Sequence, residues 1–162
     1  MLKEVLFMGV REAMKLEPRQ DTVIISILDQ FEECNRPDHL HKFRDHLILN
    51  FVDTFERPGD PDWPDQMSEE EHKVICKYDE DKAPELSDAK RIVEFIDKYR
   101  DAPEEVRLIV HCQGGVSRSA AVAKWAGEFY RVPLPQVGDG IHLLEGANPR
   151  VIRLLAKAAG GR

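Results

Sequence analysis

Cys112 and Arg118 stand six positions apart in the run HCQGGVSRS, His111 to Ser119, and the residue types between them give that spacing a chemical meaning. A thiol that opens a glycine-containing loop, with an arginine where a helix begins, sits beneath a ring of backbone N–H groups. The positive end of the helix dipole lies behind it. Such a cradle suits a tetrahedral dianion, and a thiolate held within it is nucleophilic at neutral pH. Cys112 is the candidate nucleophile. Arg118 offers a planar fork that grips two phosphoryl oxygens, which lysine cannot do. Gly114 and Gly115 let the backbone curl inward, so Gln113, Gly114, Gly115, Val116, Ser117 and Arg118 form the candidate phosphate-binding set. Ser119 is placed to donate to the cysteine sulfur and to stabilise the thiolate as it leaves in a second step. The chemistry indicated is phosphate-ester cleavage through a cysteine.

These residues need elements to hold them. Short apolar runs rich in β-branched residues predict strands at 5–8, 22–28, 46–51 and 106–111. TVIISIL and VRLIVH are nearly continuous rather than alternating, as in central strands of a parallel sheet covered on both faces. LSDAKRIVEFIDKY sets Ile92, Val93, Phe95, Ile96 and Tyr99 on one helical face, with Ser87 as its expected N-cap. Beyond the loop, a helix of small residues carries Trp125 and Phe129 at core spacing. Asn148 and Pro149 read as the N-cap and first residue of a last helix, with Val151, Ile152, Leu154 and Leu155 inward. The fold expected is α/β, a largely parallel central sheet of four to five strands flanked by helices.

The 162 residues suit one domain with a full core. Residues 57–85, rich in Pro, Asp and Glu, break the alternation as an irregular insertion with a short helix expected over 69–77. Long excursions of this kind often form lids or binding loops. A net charge of −7 argues against broad nucleic-acid or anionic-membrane binding, so an anionic substrate must be drawn by a local basic site. No segment approaches the roughly 20 apolar residues that span a bilayer. The N-terminus turns charged too soon for a secretory signal, and the expected location is cytoplasmic. Cys34, Cys76 and Cys112 have neither disulfide-framework nor zinc-finger spacing.

A bare Cys-x5-Arg is weak evidence; the histidine, the glycine three residues on, the Ser-Arg-Ser ending, the strand before and the helix after make it specific. HCQGGVSRS resembles the phosphate-binding loop of the protein tyrosine phosphatase superfamily, HC-x2-G-x2-R-[ST]. Its second half is closer to the dual-specificity branch than to the tyrosine-specific one. HLILNFVD resembles the strand that leads to the acid-bearing loop in compact bacterial and dual-specificity members. The patterns run in order over about residues 20–155, with 57–85 as the insertion. The resemblance implies a phosphatase-like fold and a protein-tyrosine or dual-specificity type of phosphatase with a cysteinyl-phosphate intermediate. It implies no cofactor and no metal, a phosphorylated protein or small phosphomonoester as partner, and His111 as a residue that orients the loop.

That mechanism needs a carboxylic acid to protonate the leaving oxygen and then to act as base toward water. Asp53 stands at the end of the third expected strand. Asp65 is the alternative, because Trp63-Pro64-Asp65 spells the acid-loop tripeptide of tyrosine-specific members, although it lies inside the insertion. Asp62, Asp79 and Asp81 are lesser candidates. Asn148 has two readings, a site contact or a helix cap. His39, His41 and His46 read as loop or surface histidines rather than a metal cluster. Lys42, Arg44 and Arg57 are candidate basic residues at the mouth, against plain surface scatter. Cys34 or Cys76, if beside Cys112, would offer a protective disulfide. The competing functions are a catalytically weak phosphate-recognition module on the same loop and a rhodanese-like or arsenate-reductase chemistry.

Overall fold

The computed structural model describes residues 1–56, 59–60, 63–76, 78, 80–137 and 141–160. Four strands, β1 (Leu2–Met8), β2 (Thr22–Ile27), β3 (Asp45–Leu49) and β4 (Val106–His111), form one sheet in the order β1-β4-β2-β3. Every pairing is parallel. All six residues of β2 are buried, as the continuous apolar run requires. Its side chains divide between two cores with a period of two. Val23, Ile25 and Ile27 join the larger core, formed with α3 (Leu86–Arg100), α4 (Arg118–Tyr130) and α5 (Pro149–Ala159). Ile24 and Ile109 face the smaller core under Leu40 and Phe43. Trp125 and Phe129 stack at 5.0 Å in the larger one. Among the described residues no helix is long and apolar enough to cross a membrane.

Some boundaries differ from expectation for local reasons. β3 ends at Leu49, so Asp53 stands four residues beyond the strand rather than at its end. Helix α3 begins at Leu86, and its N-cap is Glu85, in a capping box with Asp88, rather than Ser87. A five-residue helix α1 (Val10–Met14), too short for a periodic signal, follows β1 directly. In the 57–85 stretch, α2 (Glu69–Ile75) opens on a Ser68–Glu71 capping box. The stretch is fastened to α5 by a wholly buried arginine. Arg150 donates to Pro84 O at 2.8 Å, to Pro64 O at 2.9 Å and to Glu56 Oε1 at 2.6 Å.

Candidate active site

The site lies at the carboxyl edge of the sheet, where open parallel α/β folds gather their ligands. β4 delivers His111 and Cys112 there, and the chain curls through residues 113–117 into the N-terminus of α4. The curl depends on Gly115, whose φ is +75°; a Cβ there would come within 2.3 Å of Gly9 N. Cys112 is buried, 2% exposed. Its sulfur lies 3.2 Å from Ser119 Oγ and accepts the Gly115 N–H at 3.2 Å. The amides of Gln113, Gly114, Val116, Ser117 and Arg118 donate no hydrogen bond among the described residues. Such a run of N–H groups at a helix start suits an anion.

Arg118 is 5% exposed and fixed from behind. Its Nη1 donates to Glu32 Oε1 at 2.9 Å and to Phe51 O at 3.0 Å, and its Nη2 donates to Glu32 Oε2 at 3.2 Å. Buried Nε has no partner among the described residues. Burial works against the Glu32 charge, but the Arg118 bonds and the Asp29 N–H outweigh it and hold the carboxyl below its usual range. Glu32 escaped the sequence reading because it lies in an irregular loop 86 residues from its partner.

Beneath the loop a second chain of bonds fixes His111. Arg36 donates to Ser26 Oγ at 2.7 Å, and Ser26 Oγ lies 2.6 Å from His111 Nε2. Nδ1 faces Cys112 O at 3.3 Å, and because a carbonyl only accepts, that contact puts the ring proton on Nδ1 and leaves Nε2 to accept from the serine hydroxyl. Burial pushes the His111 pKa down to about 4, so the ring is neutral at physiological pH. Arg36 also reaches Asn50 Oδ1 at 2.6 Å, clipping the ends of β2 and β3 together.

Asp53 is tied to the same loop. Its Oδ1 accepts from Ser117 Oγ at 2.5 Å and from Asn148 Nδ2 at 2.7 Å, and Oδ2 accepts no hydrogen bond among the described residues. Asn148 is the N-cap of α5 and also touches Asp53. Its amide binds Asp53 and Thr54 O, while its Oδ1 caps α5 through Val151 N. Beside Asp53 opens a cleft of about 460 Å³ with Val52, Phe55, Trp63 and Ile75 in its walls.

Other expected residues lie elsewhere. Asp65 is joined to Arg153 at 2.6 Å and to Lys157, both on α5. Those bonds, Lys157 first, hold its carboxyl below the usual range. Asp81 is buried in the wall of the Asp53 cleft. Asp62, Asp79 and Arg57 lie outside the described residues. Arg44 pairs with Glu104 rather than bordering the loop. Among the described residues no three His, Cys, Asp or Glu side chains gather as metal ligands. Cys34 is exposed, with its sulfur 3.9 Å from Phe31 O, and the Cys76 thiol is pushed up by burial.

No family model matches the sequence, and no curated protein matches it significantly. Among solved structures the chain trace is similar to that of a human tyrosine phosphatase-like serine/threonine/tyrosine-interacting protein. The identity is 19% over 86% of this chain and 76% of that chain, with a TM-score of 0.48.

Proposed function

We propose that the protein is a cysteine-dependent phosphatase of the protein tyrosine phosphatase superfamily, dual-specificity-like, acting on phosphomonoesters. The observation that carries this reading is the loop itself. One loop carries five amides that donate no hydrogen bond among the described residues, an Arg118 Nε without a partner among them, and a buried thiol 3.2 Å from Ser119 Oγ. The loop resemblance to HC-x2-G-x2-R-[ST] supports the same reading.

The chemistry runs in two steps. The Cys112 thiolate attacks phosphorus in line with the leaving oxygen; the S–P bond forms, the O–P bond breaks, and the Asp53 carboxyl gives its proton to the leaving oxygen. The loop amides and Arg118 stabilise charge on the equatorial oxygens. Water then attacks phosphorus and passes a proton to the Asp53 carboxylate. The S–P bond breaks, and Ser119 Oγ–H steadies the returning thiolate. Asp53 is preferred over Asp65 as the acid because Ser117 ties it to the phosphate loop, whereas Asp65 is held ionised by two cations. The cleft beside Asp53 suits the organic part of the substrate.

The experiment is hydrolysis of an aryl phosphate in chelator, with and without vanadate. Turnover inhibited by vanadate and absent in Cys112→Ser supports the enzyme. Tight phosphopeptide binding without turnover supports the recognition module instead.

A further inference from the structure

Ser26 interrupts the apolar run of β2 and is wholly buried. A hydroxyl in that place costs stability unless it is paired. The parallel register sets it beside His111 of β4, with Oγ 2.6 Å from Nε2. On its other side stands Arg36, whose side chain is 8% exposed. Its Nη1 donates to Ser26 Oγ at 2.7 Å and to Ser26 O at 2.9 Å. Three hydrogen bonds therefore run in one direction. Arg36 donates to Ser26, Ser26 donates to His111 Nε2, and His111 Nδ1–H donates to Cys112 O. In a buried chain such bonds polarise one another. Burial, aided by the charges of Arg36 and Arg118, keeps the ring neutral, so the positive charge stays at the head of the chain.

The consequence at Cys112 follows from its peptide plane. A trans peptide sets the C=O and the next N–H on opposite sides. Holding Cys112 O on His111 thus aims the Gln113 N–H away from the ring, where it meets no acceptor among the described residues. The same bond offsets part of the negative charge on the carbonyl of the residue that bears the sulfur.

We propose that Arg36 and Ser26 are positioning residues for the nucleophile, acting through His111 to stabilise negative charge on the Cys112 sulfur. Glu32 and Arg36 flank one short turn, Glu33–Asn35, and so serve the two working groups of the site, Arg118 and Cys112. The plain alternative is a strand clip, since Arg36 also meets Asn50 Oδ1 at 2.6 Å and Leu49 O at 3.4 Å. Glu33, 47% exposed, pairs with the guanidinium at 3.0 Å, and solvent weakens that pair. Ser26 separates the two roles. It bonds to His111, whereas among the described residues no bond joins Asn50 to the ring.

The test is alkylation of Cys112 by iodoacetamide against pH, followed by mass spectrometry of the peptide that bears it. The thiolate is the species that reacts. Alkylation needs no turnover, so the result stands if the phosphatase reading fails; the part played in turnover alone rests on that reading. Besides His111, the charged groups around the thiol are Arg118 on α4, Asp53 through Ser117, Glu32 through Arg118 and Glu12 beside Gly9. The substitutions leave all of them in place. Ser26→Ala and Arg36→Met should each lower the rate near about pH 6 by about tenfold and leave the alkaline limit unchanged. Asn50→Ala, which cuts the clip but not the chain, should follow the wild type at every pH. Ser26→Ala removes one oxygen and reports even if Arg36→Met does not fold. An unchanged profile in Ser26→Ala, or in a folded Arg36→Met, overturns the proposal. So does a fall by the same factor at every pH, which marks a displaced loop, or an equal change in Asn50→Ala.

Discussion

Glu32 holds Arg118 through two hydrogen bonds, at 2.9 and 3.2 Å, leaving the buried Nε without a partner among the described residues. The carboxylate thus fixes the plane of the guanidinium and the direction in which it can donate. Glu32→Gln keeps the size and loses the charge, so we expect kcat/KM to fall by about ten- to a hundredfold, mainly through kcat. Arg118→Lys, which loses the fork altogether, is expected to cost at least as much. Steady-state kinetics on an aryl phosphate check both; an unaltered Glu32→Gln enzyme contradicts the positioning role.

Asp53 as acid predicts a dependence on the leaving group. Asp53→Asn lowers kcat by about 10²-fold or more for alkyl phosphates and much less for activated aryl esters, which leave without a proton. Asp65→Asn changes neither. Asn148→Ala, which releases Asp53 Oδ1, lowers kcat for alkyl phosphates more than for activated aryl esters. If Asp65→Asn shows the leaving-group signature instead, the assignment passes to Asp65.

Ser119 lies 3.2 Å from the Cys112 sulfur, and the proposed mechanism uses it in the second step. Ser119→Ala is expected to slow hydrolysis of the cysteinyl-phosphate more than its formation. Stopped-flow traces then show a burst of released alcohol followed by a slow steady state. A mutant that slows both phases equally speaks against that division.

Buried His111 and half-buried Asp88 give opposite slopes to stability against pH. The folded pKa of His111 is pushed down to about 4 from 6.5, so its contribution is complete above about 6.5 and is lost as pH falls through about 4. The size of that loss is at most roughly 3 kcal/mol. Asp88, raised to about 6 from 3.8, contributes fully below 3.8 and loses its share as pH rises through about 6. Urea titrations between these limits should show His111→Gln flattening the loss of stability on acidification and Asp88→Asn steepening it. Unchanged slopes would remove the basis for a neutral His111.

The sequence made legible what local pattern encodes. Continuous apolar runs marked β2 and β4, and the Cys112–Ser119 run carried its own loop geometry because each residue there acts through its neighbours. Asn148-Pro149 announced α5 by capping chemistry alone. What stayed hidden depends on long-range closure. Glu32 and Arg36 meet Arg118 and Ser26 only after the strands pair, and neither belongs to a periodic segment. The acid was ambiguous for the same reason. Trp63-Pro64-Asp65 has the right spelling, but α5 claims Asp65 with Arg153 and Lys157. Arg150, which no local pattern singles out, is the buried tie between that helix and the 57–85 stretch.

In the proposed mechanism Cys112 carries the phosphoryl group between two steps, and rapid acid quench during turnover detects it. Mass spectrometry of the quenched wild-type protein should find one phosphoryl group on the peptide bearing Cys112. The species should accumulate in Ser119→Ala and be absent in Cys112→Ser. Turnover that leaves Cys112 unmodified at every time point, or that persists in Cys112→Ser, would contradict the account.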